Sequence, residues 1–396
     1  MEGWAQRKIG DLFDVKAGGD LQAESYSPYP TEQAQWAIYA NSLENRGLYG
    51  YTSKPRFPGN AITITGRGDI GHAVYRSNNF DAIVRLLVLL PKEDIDCRYI
   101  TYYLNSLVHF PKESTGVPQL TAPKVKRIKI NIPQSKTKQT AIANILSKVD
   151  ETIESVQNSI AAAERLKKSL MQNLLTGKMK PDGTFRTPEE FYTDEKFGKV
   201  PIGWEVKRIQ DFGKVQTGKT PPTEEPGVFA EMGKGFMFIT PGDVGINKYI
   251  EKTERYVSDK GMLYSYIIPA NTVSEVCIGS TIGKIGITTE ECCTNQQITS
   301  VVTNEQNDAE YFYYAMLARR EHFKSVAGIN ATPQINKSEY SKYKVLCPKT
   351  KEEQTSIAHK ISIIDNQINN ELQKKATLER LKKSLMQNLL RGRVKN

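Results

Sequence analysis

The run Glu164-Arg-Leu-Lys-Lys-Ser-Leu-Met-Gln-Asn-Leu-Leu175 returns, letter for letter, as Glu379 to Leu390. Twelve identical residues within one chain are a strong sign of internal repetition. Each copy closes a long segment with helical periodicity, and each such segment follows a globular stretch. The two globular stretches share a layout but few residues. A chain that keeps its helices alike while its globular parts diverge is expected to dock one kind of partner twice and to read two different things.

Outward from that run the correspondence covers the chain. Residues 4–18 align with 204–218 at an offset of 200, pairing Trp4, Ile9, Asp11 and Gly18 with Trp204, Ile209, Asp211 and Gly218. Ile70-Gly71 aligns with Ile282-Gly283, and Tyr99 and Tyr102 with Tyr311 and Tyr314, at an offset of 212. From Pro118-Gln119 against Pro333-Gln334 the offset is 215, pairing Pro133 with Pro348, Gln139 with Gln354 and Asp150 with Asp365. The second globular stretch therefore carries about fifteen extra residues, expected in loops. Between the copies, Gly177, Pro181-Asp182-Gly183, Pro188 and Pro201 punctuate a linker, within which Thr187-Pro188-Glu189-Glu190 has the letters of a short capped helix. The expected divisions are a globular domain over 1–135, a long helix over 136–178, a linker over 179–200, a second globular domain over 201–350 and a second long helix over 351–396.

The globular domains read as mixed α/β. Ala61 to Thr65, Ala82 to Leu90 and Val273 to Ile278 are short, β-branched apolar runs that suit strands. Asp96 to Ser106 and Asp308 to Arg319 read as amphipathic helices. In the first long helix Ile142, Leu146, Val149, Ile153, Val156, Ile160, Ala163, Leu166, Leu170 and Leu174 follow steps of mainly three and four, the seam of a coiled coil. The second gives Ile357, Ile361, Ile364, Ile368, Leu378, Leu381, Leu385 and Leu389. Its middle departs, with Glu371 and Lys375 where the first has Val156 and Ile160; either the seam shifts onto Leu372 or the pairing loosens there. Helices of about 40 residues, roughly 60 Å, need tertiary packing, and each is the other's nearest partner. The expected fold is α+β: two mixed α/β domains separated by two long helices in an antiparallel coiled coil, with an internal pseudo-twofold repeat. Such symmetry matches duplex DNA, on which paired readers sit about a helical turn or its multiples apart, so the helices are expected to act as a ruler.

Composition is that of an ordinary globular protein of 396 residues, 39% apolar and 25% charged. The longest aliphatic run, Leu86 to Leu90, is too short to span a bilayer, and Met1-Glu-Gly-Trp-Ala-Gln-Arg7 has no apolar signal core. A cytoplasmic location with no membrane partner is expected. The net charge of +10 suits a polyanionic partner. The five cysteines form no Cys-x-x-Cys pair and read as free buried thiols.

The ordered double set of motifs resembles the DNA-specificity subunits of type I restriction–modification enzymes. Its carriers are Gly3-Trp4 and Pro201-Ile-Gly203-Trp204-Glu205, then Ile70-Gly71 and Ser280-Thr-Ile282-Gly283-Lys284. Ile132-Pro133…Gln139…Ile142 and Cys347-Pro348…Glu353-Gln354…Ile357 follow, and the leucine-rich tails end at Gly177 and Gly392. The resemblance covers essentially the whole chain. The first copy departs in lacking a Pro two residues before Gly3 and in placing Lys138 where Glu353 stands. The resemblance implies that each globular region is a target-recognition domain reading one half of a split, asymmetric sequence of double-stranded DNA. It implies helices that set the unread spacer, two methyltransferase subunits flanking them, and restriction/translocase subunits that complete the enzyme.

No chemistry of its own is expected of the chain, and no cofactor or metal. There is no Gly-x-x-x-x-Gly-Lys phosphate cradle, and no Asn/Asp-Pro-Pro-aromatic run of an amino-methyltransferase. Gly66-Arg-Gly68-Asp-Ile-Gly71 has dinucleotide-fingerprint letters but no βαβ unit around it, so a strand turn is the expected reading. His72, His109, His322 and His359 are scattered, with no pair at metal-ligand spacing. Bases are read by Arg, Lys, Asn or Gln on exposed loops, and phosphates by any cation. The expected DNA contacts are Arg67, His72, Lys112 and Gln119 in the first domain, and Lys284, Gln296, Gln297, Asn330, Gln334 and Lys337 in the second. Lys124, Lys126, Arg127 and Lys129 form a denser cluster better suited to phosphates. Rival readings are a specificity module of another restriction architecture, with fused methyltransferase and nuclease, a pseudo-dimeric transcription regulator, and a coiled-coil scaffold.

Overall fold

A computed structural model describes residues 3–110, 119–328 and 333–393. They divide into two compact units, one of residues 1–158 with 372–396 and one of residues 159–371. Each globular part opens with a strand that pairs with the strand feeding its long helix. In the first unit Trp4–Lys8 runs antiparallel to Lys129–Pro133, with Trp4 opposite Pro133. In the second, Trp204–Arg208 meets Lys344–Pro348 in the same register, Trp204 opposite Pro348. The tryptophan and proline motifs thus mark the two sides of one ladder.

Two sheets follow in each unit. In the first, an antiparallel sheet has the order Phe13–Ala17, Leu87–Pro91, Ala61–Ile64, Ala73–Arg76. The other has the order Tyr26–Ser27, Leu48–Thr52, Trp36–Tyr39, Phe80–Ala82, its last pair parallel. The run Ala82 to Leu90, expected as one strand, is two: Phe80–Ala82 and Leu87–Pro91 lie in different sheets. Between them Val84 and Arg85 turn the chain in the left-handed region at φ 53° and 57°. A β-branched residue rarely adopts that region, so the apolar letters conceal the turn.

The second unit repeats both sheets with a fifth strand added to each: Tyr249–Ile250 on one and Ile267–Ile268 on the other. The extra residues therefore build strands and the helix Asp259–Met262, and are not confined to loops as expected. The linker holds the short helical turn Pro188–Glu190, capped by Thr187. Among the described residues no helix is long and apolar enough to cross a membrane.

A buried glutamine fixes the corner where each globular part becomes a helix. Gln139 donates from Nε2 to the Pro133 carbonyl at 2.8 Å and accepts at Oε1 from the Asp96 amide at 3.1 Å. Gln354 repeats this with the Pro348 carbonyl at 3.0 Å and the Asp308 amide at 2.9 Å. Asp96 in turn caps the helix Cys97–Leu107, and Asp308 caps Ala309–Ala318, each carboxylate accepting from backbone amides of the first turn. Thr140 and Thr355 donate to the same two carboxylates at 2.9 and 2.8 Å. One residue thus closes three elements on one another in both repeats.

The long helices span Lys136–Leu174 and Lys351–Leu389, 39 residues each. In the first unit the beginning of the former meets the end of the latter, with Lys382 Nζ 2.6 Å from Asp150. In the second unit the end of the former meets the beginning of the latter, where Lys167 pairs with Asp365. Within each unit the two therefore run in opposite directions. Asp150 also accepts from the Tyr102 hydroxyl at 2.7 Å, and Asp365 from the Tyr314 hydroxyl at 2.5 Å. Lys167 and Lys382 both belong to the duplicated run.

The rest of that run is apolar anchoring. Leu385, Met386, Leu389 and Leu390 pack into the core of the first unit with Ile142, Ala143 and Leu146. Leu170, Met171, Leu174 and Leu175 pack into the core of the second with Ile357, Ala358 and Ile361. Each copy therefore ends in the core of the globular part that it does not directly follow in sequence. Gly177 and Gly392, at φ 67° and 65°, then turn the chain off the helix. A Cβ on Gly177 would lie 2.2 Å from Pro201 Cγ, so the position also demands the missing side chain. Two seam assignments fail: Leu166 is 48% and Leu381 46% exposed, because they face away from these cores. Leu372 is also 46% exposed, so the seam does not shift onto it.

Truncating Leu390, 1% exposed, to alanine should cost the first unit about 2–5 kcal/mol. Amide exchange should accelerate across Leu87–Pro91 and stay unchanged across Ile298–Thr303; equal acceleration in both strands would contradict the docking described. A second test concerns Glu275, 1% exposed, which accepts from the Tyr340 hydroxyl at 3.1 Å. Burial pushes its carboxyl from 4.5 up to about 8, against the opposing Tyr340 bond and Arg320 charge. The neutral form is favoured by folding, so this contribution is complete below about 4.5 and is lost as pH rises through about 8. Glu275→Gln should flatten the fall in melting temperature over that interval and be the more stable form above it.

Candidate nucleic-acid interface

The same hairpin carries the expected contact residues in both units. In the first it joins Ala61–Ile64 to Ala73–Arg76, closed by bonds from the Thr65 amide to the His72 carbonyl (3.0 Å) and from Gly71 to Thr65 (2.9 Å). In the second it joins Val273–Val276 to Ile285–Thr288, closed from Val276 to Lys284 (2.8 Å) and from Gly283 to Val276 (2.9 Å). His72 and Lys284 therefore hold equivalent places just after a glycine with positive φ. The Gly66 to Gly71 letters belong to this strand turn.

The segment before each long helix's feeder strand returns to that hairpin. Gln119 bridges to Arg67 through the backbone, and Gln334 bridges to Ile278. Arg67, His72 and Gln119 are thus brought to one place in the first unit, and Lys284 and Gln334 to the matching place in the second. Arg67 and His72 are exposed. Partial burial of the ring first, then the charges of Arg76 and Arg46, lower the pKa of His72 against the opposing charge of Asp69 and favour its neutral form. Lys284 is half-buried and reaches the Pro241 carbonyl at 3.4 Å, beside a cavity of 760 Å³ shared with Lys248, Tyr313 and Arg320.

Other candidates lie apart or are engaged. Gln296 accepts from the Thr220 hydroxyl, and Gln297 is bound by Asn295 at 3.1 Å. Lys337 is exposed at the first turn of Lys337–Lys342. Lys124, Lys126 and Arg127 ride the short helix Ala122–Arg127, pinned by buried Val125. Lys126 and Arg127 are exposed, with Lys126 4.0 Å from Asp14, and Lys129 opens the next strand. Lys112 and Asn330 lie outside the described residues. Among the described residues no group of three or more His, Cys, Asp or Glu could hold a metal.

Sequence reading missed a cleft of 670 Å³ in the first unit, beside the hairpin. Trp36, Tyr39 and Tyr75 supply its aromatic surfaces, and Asn45, Arg46 and Arg76 its polar ones. Asn45 and Arg46 both sit in the left-handed region, at φ 46° and 54°. The one available signal was the turn-forming run Asn45-Arg46-Gly47; nothing in the letters ties it to Arg76, thirty residues on.

Comparison with known proteins agrees with this layout. A family model described as the type I restriction modification DNA specificity domain matches residues 1–165 and again 201–380. The HindI specificity subunit of Haemophilus influenzae is 23% identical, the match covering 100% of both chains. The MjaVIII specificity subunit of Methanocaldococcus jannaschii is 26% identical over 100% of this chain and 93% of its own. In fold, the chain is similar to the crystal structure of the type I restriction-modification S subunit from M. genitalium. The TM-score is 0.68 at 18% identity, over 98% of this chain and 96% of that one.

Proposed function

Because the chain belongs to the type I restriction–modification DNA-specificity family, we propose that it is the DNA-reading, non-catalytic subunit of such an enzyme. Each globular part reads one half of a bipartite, asymmetric target in double-stranded DNA, and the long helices set the spacer. The observation that carries this reading is the contrast within the repeat. The corner glutamines, capping aspartates and duplicated run are the same in both copies, whereas the segments between Gly18 and Ile70 and between Gly218 and Ile282 are not. A common frame with two different reading surfaces is what a split target requires.

The duplicated run also supports two equivalent docking faces. Leu166 and Leu381, the same letter of the run, both point to solvent at 48% and 46% exposure. We assign these outer faces to two copies of a methyltransferase subunit, joined in the full enzyme by restriction/translocase subunits, in the cytoplasm. Adenine methylation is the partner's chemistry, and this chain selects where it occurs. The phosphate share of affinity falls to Lys124, Lys126, Arg127 and Lys129, and base contacts to Arg67, His72, Gln119, Lys284, Gln334 and Lys337.

Co-expression with the methyltransferase subunit, followed by mapping of methylated adenines, should return a bipartite motif. An assembled complex that methylates no such motif would sink the reading. Exchanging residues 1–135 for those of a relative should change one half-site and leave the other intact. Adding one heptad to both long helices should lengthen the spacer between unchanged halves; an unaltered spacer refutes the ruler.

A further inference from the structure

Resting on the reading that the first globular part recognises a half-site, we infer that its 670 Å³ cleft is a base-reading site in which Arg46 contacts a guanine. The argument begins with rigidity. Two consecutive non-glycine residues in the left-handed region persist only where their surroundings over-determine them. Here Arg76 does so: 6% exposed, it donates from Nη2 to the Arg46 carbonyl at 2.8 Å and from Nε to the Thr63 hydroxyl at 2.9 Å. Its guanidinium lies 3.4 Å from the centre of the Tyr39 ring. One buried arginine, anchored by Thr63 and Tyr39, thus holds a turn that presents a second arginine to solvent.

Arg46 itself is exposed, and among the described residues its guanidinium meets no carboxylate and no hydrogen-bond acceptor. Its carbonyl is 2.8 Å from Arg76 Nη2, and both arginines disfavour charge on the His72 ring, against the opposing charge of Asp69. The planar guanidinium fork fits the paired acceptors of a guanine's major-groove edge, N7 and O6. Beside it, the exposed amides of Asn45 and Asn78 are the groups suited to an adenine edge. Mobile lysines would suit phosphate; a clamped arginine suits a base.

Position supports the same reading. Trp36, Tyr39, Asn45 and Arg46 fall in the stretch between Gly18 and Ile70 where the two repeats lose their correspondence. Residues that read different sequences in the two halves must lie where the halves differ. Tyr75 and Arg76, which line the cleft, belong to the second strand of the hairpin that bears Arg67.

The test uses the full chain with its methyltransferase partner and maps methylated adenines for wild type, Arg46→Asn and Arg46→Lys. Asparagine tolerates the left-handed region, and lysine keeps the charge while losing the fork. Melting temperatures check folding. Both variants should relax discrimination at a single guanine of one half-site by about ten-fold or more, with the other half unchanged. A motif identical to wild type in both variants overturns the inference while leaving the bipartite reading intact. So does a uniform loss across all sites in Arg46→Asn that Arg46→Lys restores, the mark of a phosphate contact. Absence of any bipartite motif in wild type would overturn the functional reading, and this inference with it.

Discussion

Burial of a short leucine-rich helix end in each globular core is the constraint on which the rest of the molecule depends. Leu174 and Leu175 are withdrawn from water in one core and Leu390 in the other. A fully buried leucine contributes about 1.5–3 kcal/mol, and with the half-buried Leu170 at one end and Leu385 and Leu389 at the other these fix a helix that its mostly polar length could not hold. Lys167 and Lys382 add direction, since each pairs with an aspartate that also receives a tyrosine hydroxyl. Burial, then the neighbouring Asp150, pushes the Tyr102 phenol up to about 12, so this hydroxyl remains a donor across the working pH range. Because Tyr102 with Asp150 and Tyr314 with Asp365 present equivalent receptors, one sequence serves both. Identity of the two runs therefore has an internal cause, independent of any partner they dock.

The repeats differ where their chain surroundings differ. Glu353 accepts from the Trp204 indole at 3.0 Å and from Arg186 of the linker at 2.6 Å. Arg186 in turn donates to the Gly177 carbonyl at 2.8 Å, so the linker is fastened to the ladder that it leads into. At the position of Glu353 the first repeat carries the exposed Lys138, whose ammonium group donates and cannot accept. The departure noted in the letters thus exchanges an acceptor for a donor within an otherwise shared frame.

The frame was legible because its determinants are local or strictly repeated. Period three-to-four apolar steps, a proline and glutamine at fixed spacing, and aspartate caps carry their meaning in the letters themselves. The opposed course of the helices followed from that pattern and from the need of long helices for a partner. What escaped depends on contacts across sequence. Leu166 and Leu381 fit the heptad yet face solvent, since the core lies against the neighbouring face of the run. Val84 and Arg85 turn inside an apolar run because two sheets, not one, share it. The added strands of the second unit are two residues each, too short for any periodicity to announce them. At the candidate site, the glycine hairpin and its partner glutamines were readable from the repeat. The cleft was not, because Arg76 approaches Arg46 only through folding.

That last case separates two ways of using positive charge. Lys126 and Arg127, exposed on a six-residue helix, can follow a phosphate wherever the backbone of a polyanion lies, and their contribution falls with salt. Arg46 sits on a turn whose carbonyl is held by a buried neighbour, so its backbone arrives already fixed. Holding it costs conformational energy in the free protein, offset within the fold by the bond from Arg76, and a fixed backbone lowers the ordering cost of presenting the fork to a base. Phosphates, which any cation satisfies, do not distinguish one orientation of the fork from another. A fixed backbone at Arg46 therefore favours recognition over mere affinity, in a part of the repeat that can vary without disturbing the buried helix ends.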